Sequence, residues 1–180
     1  MNGSTTNALT YLVGTLIDLY IAAVLLRLLL QWVRADFYNP LCQFLVKVTN
    51  PLLVPLRRVI PSIGRLDTAA VVLMLLLEVI GVWLVSRIGS VALGWLHLLA
   101  FSVTKLLMTV LMTYFFLIIV SVILSWLGRG IRHPFVPLVY QLTEPVLRPF
   151  RKVIPPIAGI DLSPLFALIA IRFLILLLGW

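Results

Sequence analysis

Apolar residues come in four long runs along the chain, Leu9 to Trp32, Thr68 to Val85, Leu106 to Leu127 and Leu162 to Trp180. About 20 apolar residues in a helix cross the roughly 30 Å hydrocarbon layer of a bilayer, so each run predicts a membrane-crossing helix. A fifth stretch, Val91 to Phe101, has 11 residues and is too short to cross. It decides whether the number of crossings is even or odd. Residues 88–104 are read as a non-cytoplasmic link with an interfacial helix carrying Trp95; the alternative is that the stretch extends the third helix beyond the bilayer. The first run is read as retained, because Met1 to Thr10 has no Lys or Arg and no small-x-small cleavage site follows.

Between the runs the pattern changes. Leu41, Phe44, Leu45 and Val48, and again Phe135, Leu138, Val139 and Leu142, recur at i, i+3, i+4, i+7 and predict one apolar helical face. With Gln43, Lys47 and Asn50 opposite, the first reads as a helix lying in the interface or packed under the bundle. Pro51 and Pro145 are expected to break or kink the chain. Pro55, Pro61, Pro149, Pro155 and Pro156 are expected to keep the next residues from forming a regular helix. The result is a proline-rich elbow carrying Arg57 and Arg58 in the first loop, and Arg148, Arg151 and Lys152 in the second.

Composition agrees with a membrane environment. Apolar residues make up 62% of the 180 and charged residues only 11%, too few to cover a soluble domain of this size. Fourteen Lys and Arg against six Asp and Glu would raise the question of nucleic acid in a soluble protein, but ten of the fourteen lie in two loops. Arg34, Lys47, Arg57, Arg58 and Arg65 follow the first run, and Arg129, Arg132, Arg148, Arg151 and Lys152 follow the third. The positive-inside rule places both loops in the cytoplasm, and no nucleic-acid partner is expected. Trp32 and Trp126 then sit at the inner interface, and Trp95 and Trp180 at the outer one.

The chain also repeats itself at an offset of 94 residues. From Thr49 to Asp67 against Thr143 to Asp161, 10 of 19 positions are identical, and the same offset superimposes Tyr20 on Tyr114, Trp32 on Trp126 and Pro40 on Pro134. Each copy holds two crossings, so the copies share one orientation about a pseudo-two-fold axis along the membrane normal. The expected fold is an all-α membrane protein of four transmembrane helices from a two-fold tandem repeat. Copy one covers 1–87 with basic loop 34–66, the link 88–104 follows, and copy two covers 105–180 with basic loop 128–160.

Charges inside apolar runs are the first candidates for function, since each costs about 2.5–3.5 kcal/mol at the bilayer centre on insertion scales. Glu78 and Arg172 lie near the middle of the second and fourth runs, 94 residues apart, and are expected to form an intramembrane ion pair that offsets both costs. A polar site for ion or proton passage and separate snorkelling are the alternatives. Asp18 and Arg27 in the first run are not expected to bond each other. Asp67 and Asp161 stand just before the second and fourth runs, suited to cap those helices or to pair with the loop arginines. The basic elbow, Arg57, Arg58, Arg148, Arg151 and Lys152, serves either as ordinary anchoring charge or as a surface for anionic lipid headgroups or a partner.

Enzyme chemistry finds little support, and no catalytic residue, metal site or cofactor is expected. Cys42 has no second cysteine, His97 and His133 fall on opposite sides of the membrane, and no haem-attachment motif is present. Ser121, Ser125 and Ser163 have no nearby base, and there is no phosphate-binding glycine loop.

The motif Pro-x-x-x-Pro-x-Arg-basic-x-Ile-Pro at 51–61 and 145–155, followed by Asp161-Leu-Ser-Pro164, resembles the YggT family, which includes YlmG and its chloroplast relatives. Asp36-Phe-Tyr-Asn-Pro40 is similar to the proteobacterial members in particular. The first copy departs from the pattern with Asp67-Thr-Ala-Ala70. The resemblance implies a small inner-membrane protein associated with osmotic or salt tolerance, with cell division and envelope organisation, and in plastids with nucleoid placement and haem attachment. Two functions are open. One is a scaffold or assembly factor whose cytoplasmic loops meet protein partners or anionic lipid. The other is an ion transport or channel component using Glu78 and Arg172, which requires a homo-oligomer because four helices fill their own centre.

Overall fold

In the computed structural model, residues 3–64, 66–127, 133–155 and 161–179 are described. Arg65, Arg129, Arg132, Pro156 and Trp180, assigned above to the loops and the outer interface, lie outside them. Among the described residues the chain is all-helical: α1 (Gly3–Trp32), α2 (Pro40–Val59), α3 (Thr68–Ile88), α4 (Trp95–Trp126), α5 (Phe135–Val153) and α6 (Ser163–Leu177). Of these, α1, α3 and α4 are long and apolar enough to cross a membrane, while α6 is apolar but has 15 residues. Three such helices fit a membrane protein.

Both α1 and α3 stop without glycine at the turning residue. Arg34 takes a φ of 55° and the Ala35 N–H returns to the Leu30 carbonyl at 2.9 Å; Ser90 takes 57° and the Val91 N–H returns to Ser86 at 2.9 Å. These six-to-one closures satisfy carbonyls that the last helical turn leaves open. By contrast, α4 has no glycine or proline between Trp95 and Trp126 and runs unbroken for 32 residues. The stretch read as a link is therefore helix from Trp95 onward, continuous with the third apolar run.

The prolines behave differently from expectation as well. Pro51 and Pro55 lie inside α2, and Pro145 and Pro149 inside α5. In each pair a spacing of four puts both rings on one face, and all four residues are exposed. The carbonyls that lose their partners open toward the surroundings, while the opposite face keeps its ladder and its packing. Cys42, Thr49 and Leu53 of α2 are buried along that face, as are Leu138, Val139, Leu142, Thr143 and Leu147 of α5. Phe44, expected on the apolar face, is 61% exposed.

Two compact units divide the chain: Met1–Leu28 with Phe44–Leu107, and Leu29–Gln43 with Met108–Trp180. Within the first, α1 and α3 approach closely. A Cβ built on Gly81 would stand 3.1 Å from Ile17 Cγ2, so the missing side chain permits the contact. Within the second, Ile118, Leu147, Ala167, Ile171 and Ile175 form a buried cluster against which Tyr114, Phe115 and Phe150 pack.

Candidate functional site

Four charged side chains in the first unit are held by specific partners within or against its apolar helices. Lys105, ten residues into α4, reaches both α1 and α3: its Nζ lies 2.5 Å from Asp18 Oδ1 and 3.1 Å from Glu78 Oε2. Glu78 is completely enclosed, Lys105 is 23% exposed and Asp18 44%. The ammonium meets Glu78 as a charge contact, and neither carboxylate oxygen finds a donor in hydrogen-bond geometry among the described residues. Three helices are thus tied at one point by one cation between two carboxylates. Gly81, about one turn beyond Glu78, faces Ile17, the neighbour of Asp18 in α1, so the small residue and the charges lie along the same contact.

Arg27 is the second buried charge. Its guanidinium donates to Thr49 Oγ1 at 2.6 Å, to Asn50 Oδ1 at 2.8 Å and to the Val46 carbonyl at 3.4 Å. Thr49 passes the interaction on to the Leu45 carbonyl at 2.6 Å, and Tyr20 donates to the Val48 carbonyl at 3.3 Å. Three neutral acceptors around its Nη1 fasten α2 to α1.

The remaining sequence candidates fall at helix ends and on exposed faces. Asp67 is the N-cap of α3, its carboxylate accepting the Ala70 N–H at 3.3 Å while Arg57 donates to it from Nε at 3.0 Å and from a second nitrogen. Asp161 stands one residue outside the N-cap of α6, which is Leu162, yet still accepts the Ser163 N–H at 2.9 Å and Arg151 Nε at 2.8 Å. Arg151 also pairs with Glu144. Each clamp joins residues ten apart, closing the end of α2 or α5 onto the start of the next apolar helix. Arg58, Arg148 and Lys152 are exposed and hold no ion pair among the described residues. Arg172 lies on an exposed face of α6 in the second unit, whereas Glu78 has its ion partner, Lys105, inside the first. Sequence reasoning misses that partner because Lys105 stands at the edge of an apolar run; the extra turns of α4 carry it inward.

No group of three His, Cys, Asp or Glu side chains stands ready for a metal among the described residues. Cys42 is buried, and that burial, with the nearby Asp36 charge second, pushes its thiol up, away from the reactive thiolate. The arrangement fastens helices and leaves basic side chains outside.

Comparison with known proteins places these features in a group. A family profile described as CCB3/YggT matches residues 6–88 and 100–180. An uncharacterized protein of Pseudomonas aeruginosa is 44% identical over 169 residues, covering 93% of this chain and 86% of that one. The uncharacterized protein YggT of Escherichia coli K12 is 39% identical over 160 residues, 88% of this chain and 82% of its own. CCB3, a chloroplast protein of Arabidopsis thaliana named for cofactor assembly of complex C, is 45% identical over 51 residues, 27% of this chain and 29% of that one. No solved structure matches.

Lys105→Met leaves Glu78 enclosed without its cation and is expected to cost about 3–5 kcal/mol in reversible unfolding in detergent, with most of the loss restored when Glu78→Gln is added. The second clamp has a pH signature. Partial burial raises Asp161, but the bonds from Arg151 and Ser163 together outweigh it and hold the carboxyl below its ordinary value. A depressed carboxyl contributes its stability above the unfolded pKa and loses it as pH falls through the folded one. Thermal unfolding between pH 7 and strongly acid conditions is therefore expected to fall less steeply for Asp161→Asn than for the parent.

Proposed function

Because the chain belongs to the CCB3/YggT family, we propose that it is a non-catalytic scaffold or assembly factor of the inner, plasma membrane, presenting the basic ends of α2 and α5 to cytoplasmic partners and anionic headgroups. The observation that carries this is the clamp from Arg57 to Asp67 and its counterpart from Arg151 to Asp161. Each holds a basic amphipathic helix against the start of an apolar one, and each leaves neighbouring cations outside. Arg58, Arg148 and Lys152 are each worth about 1 kcal/mol against an anionic leaflet. The reading takes α6 as a fourth crossing and the 94-residue offset as a tandem repeat, with both basic loops cytoplasmic. The plastid relative's name, which speaks of cofactor assembly, supports a role in bringing other proteins together. Envelope or division defects and lost osmotic tolerance are the phenotypes that removal of such a scaffold produces.

Charge reversal tests it. Full-length tagged protein carrying Arg58→Glu, Arg148→Glu and Lys152→Glu is expected to insert normally but to lose its co-purifying proteins, quantified by mass spectrometry. An unchanged set of partners sinks the scaffold role.

A second reading, an ion transport component, is favoured by the cluster of Asp18, Lys105 and the enclosed Glu78. A four-helix bundle fills its own centre, so this reading requires a homo-oligomer. In liposomes, potassium and proton flux is expected to stay at background for the parent and for Glu78→Gln alike. Robust flux abolished by Glu78→Gln replaces the scaffold with a transporter.

A further inference from the structure

The first unit also holds a cavity that ends on the Lys105 junction. About 460 Å³ in volume, it runs between α1, α3 and α4, with Asn7, Thr10, Ser86 and Lys105 as its polar side chains and Val82 and Val85 among its apolar ones. Gly89, which also lines it, caps the end of α3 opposite the Arg57 to Asp67 clamp, and Asn7 lies in the first turns of α1; both are exposed. Asn7 is eleven residues before Asp18 and Gly89 eleven after Glu78, so the junction lies about 16 Å down either helix at 1.5 Å per residue. Lys105 forms the floor and keeps 23% of its side chain exposed, while Glu78 behind it is enclosed.

Beyond the junction the same two helices are closed. Ile21 and Val24, three and six residues past Asp18, are 0% exposed, and Met74, four residues before Glu78, is 3% exposed. The cavity is thus a shaft with one end, and its polar side chains decide what suits it. Thr10 donates to the Thr6 and Asn7 carbonyls at 3.1 and 2.9 Å, and Ser86 to the Trp83 carbonyl at 2.8 Å, so both hydroxyl oxygens keep lone pairs for a further donor. Asn7 adds an amide, and Lys105 brings to the floor a charge that hydrocarbon solvates poorly and water well. An acyl chain meets none of these groups. Water meets them all, since each molecule needs two to four polar partners and about 30 Å³. The second copy has no such junction: at the 94-residue offset Met112 and Arg172 stand for Asp18 and Glu78, as Ser121 stands for Arg27.

We propose that the shaft is an aqueous half-channel, which brings water from the membrane face opposite the basic end of α2 down to Lys105 and stops at Ile21, Val24 and Met74. The ammonium that joins α1, α3 and α4 is solvated from that face only, and small hydrophilic solutes reach the shaft from that face alone. Transport through this unit would require the apolar side chains beyond the junction to part. The inference rests on the membrane reading above and is independent of the scaffold role.

The test is cysteine accessibility in full-length protein carrying Cys42→Ser, which removes the only cysteine. Single cysteines replace Thr10, Val82 or Val85 in the shaft, Ile80 on the exposed side of α3, Val24 beyond the junction and Arg58 at the basic end of α2. Each variant meets a charged, membrane-impermeant methanethiosulfonate in right-side-out and in inside-out vesicles. The three shaft positions are expected to react at least about tenfold faster than Ile80→Cys, because the reactive thiolate forms in water and not in hydrocarbon. They are expected to react only from the face opposite the one that labels Arg58→Cys, while Val24→Cys stays unmodified from both. Should Val82→Cys not fold, Phe101→Cys, one turn before Lys105 on the α4 wall, reads the same depth. Shaft rates equal to that of Ile80→Cys mean that lipid fills the cavity, and labelling of Val24→Cys means that it has no closed end; either result overturns the proposal. Labelling of the shaft and of Arg58→Cys from one face overturns it together with the crossing of α3.

Discussion

An ionised side chain among apolar helices must be met by an opposite charge or a full set of hydrogen bonds, and the first unit is organised around that demand. Lys105 lies between Asp18 and Glu78, so a single ammonium fixes where α4 stands against α1 and α3. Removing any member leaves the others in a medium that solvates them poorly. The apolar faces of these helices supply attraction without register, since one leucine contact is much like the next. The charges supply the register, and Gly81 gives the backbones room to reach it.

Arg27 answers the same demand by different means, its Nη1 reaching Thr49, Asn50 and a carbonyl. The consequence is directional. The amphipathic helix α2 is held to α1 by hydrogen bonds at its middle and to α3 by the Arg57 to Asp67 pair at its end. Two fastenings on opposite sides of Pro51 hold a helix that two prolines would otherwise loosen. In the second unit the middle fastening is absent at Ser121, and the end clamp gains Glu144.

Much of this organisation is legible in the residues. Long apolar runs mark α1, α3 and α4 because burial in hydrocarbon leaves a compositional trace no soluble helix carries. Asp67 and Asp161 stand out because a carboxylate before an apolar run has few other uses; in each, Oδ1 takes a backbone N–H of the next helix while Oδ2 takes the arginine. Two features are not legible. Proline reads as a breaker at positions 51, 55, 145 and 149, yet its cost depends on whether the orphaned carbonyl faces packing or open surroundings, which spacing alone does not reveal. The partner of Glu78 is hidden for a related reason: a lysine near a run's edge looks like an anchor until the helix is known to begin ten residues earlier. The bonding of Arg27 is invisible because its acceptors are neutral and scattered through a segment whose clearest signal is its apolar face.

The unbroken length of α4 has a mechanical corollary. Thirty-two residues make a rod of about 48 Å at 1.5 Å per residue, against a hydrocarbon slab of roughly 30 Å. Even a lean of about 40°, the upper end of the usual range, shortens its vertical reach only to about 37 Å. If the rod crosses the bilayer, more than one turn has to stand clear of the oil, and each end carries an exposed tryptophan, Trp95 at one and Trp126 at the other. Through the lysine it carries, any thickening or thinning of the bilayer that shifts this rod pulls directly on the two carboxylates it joins.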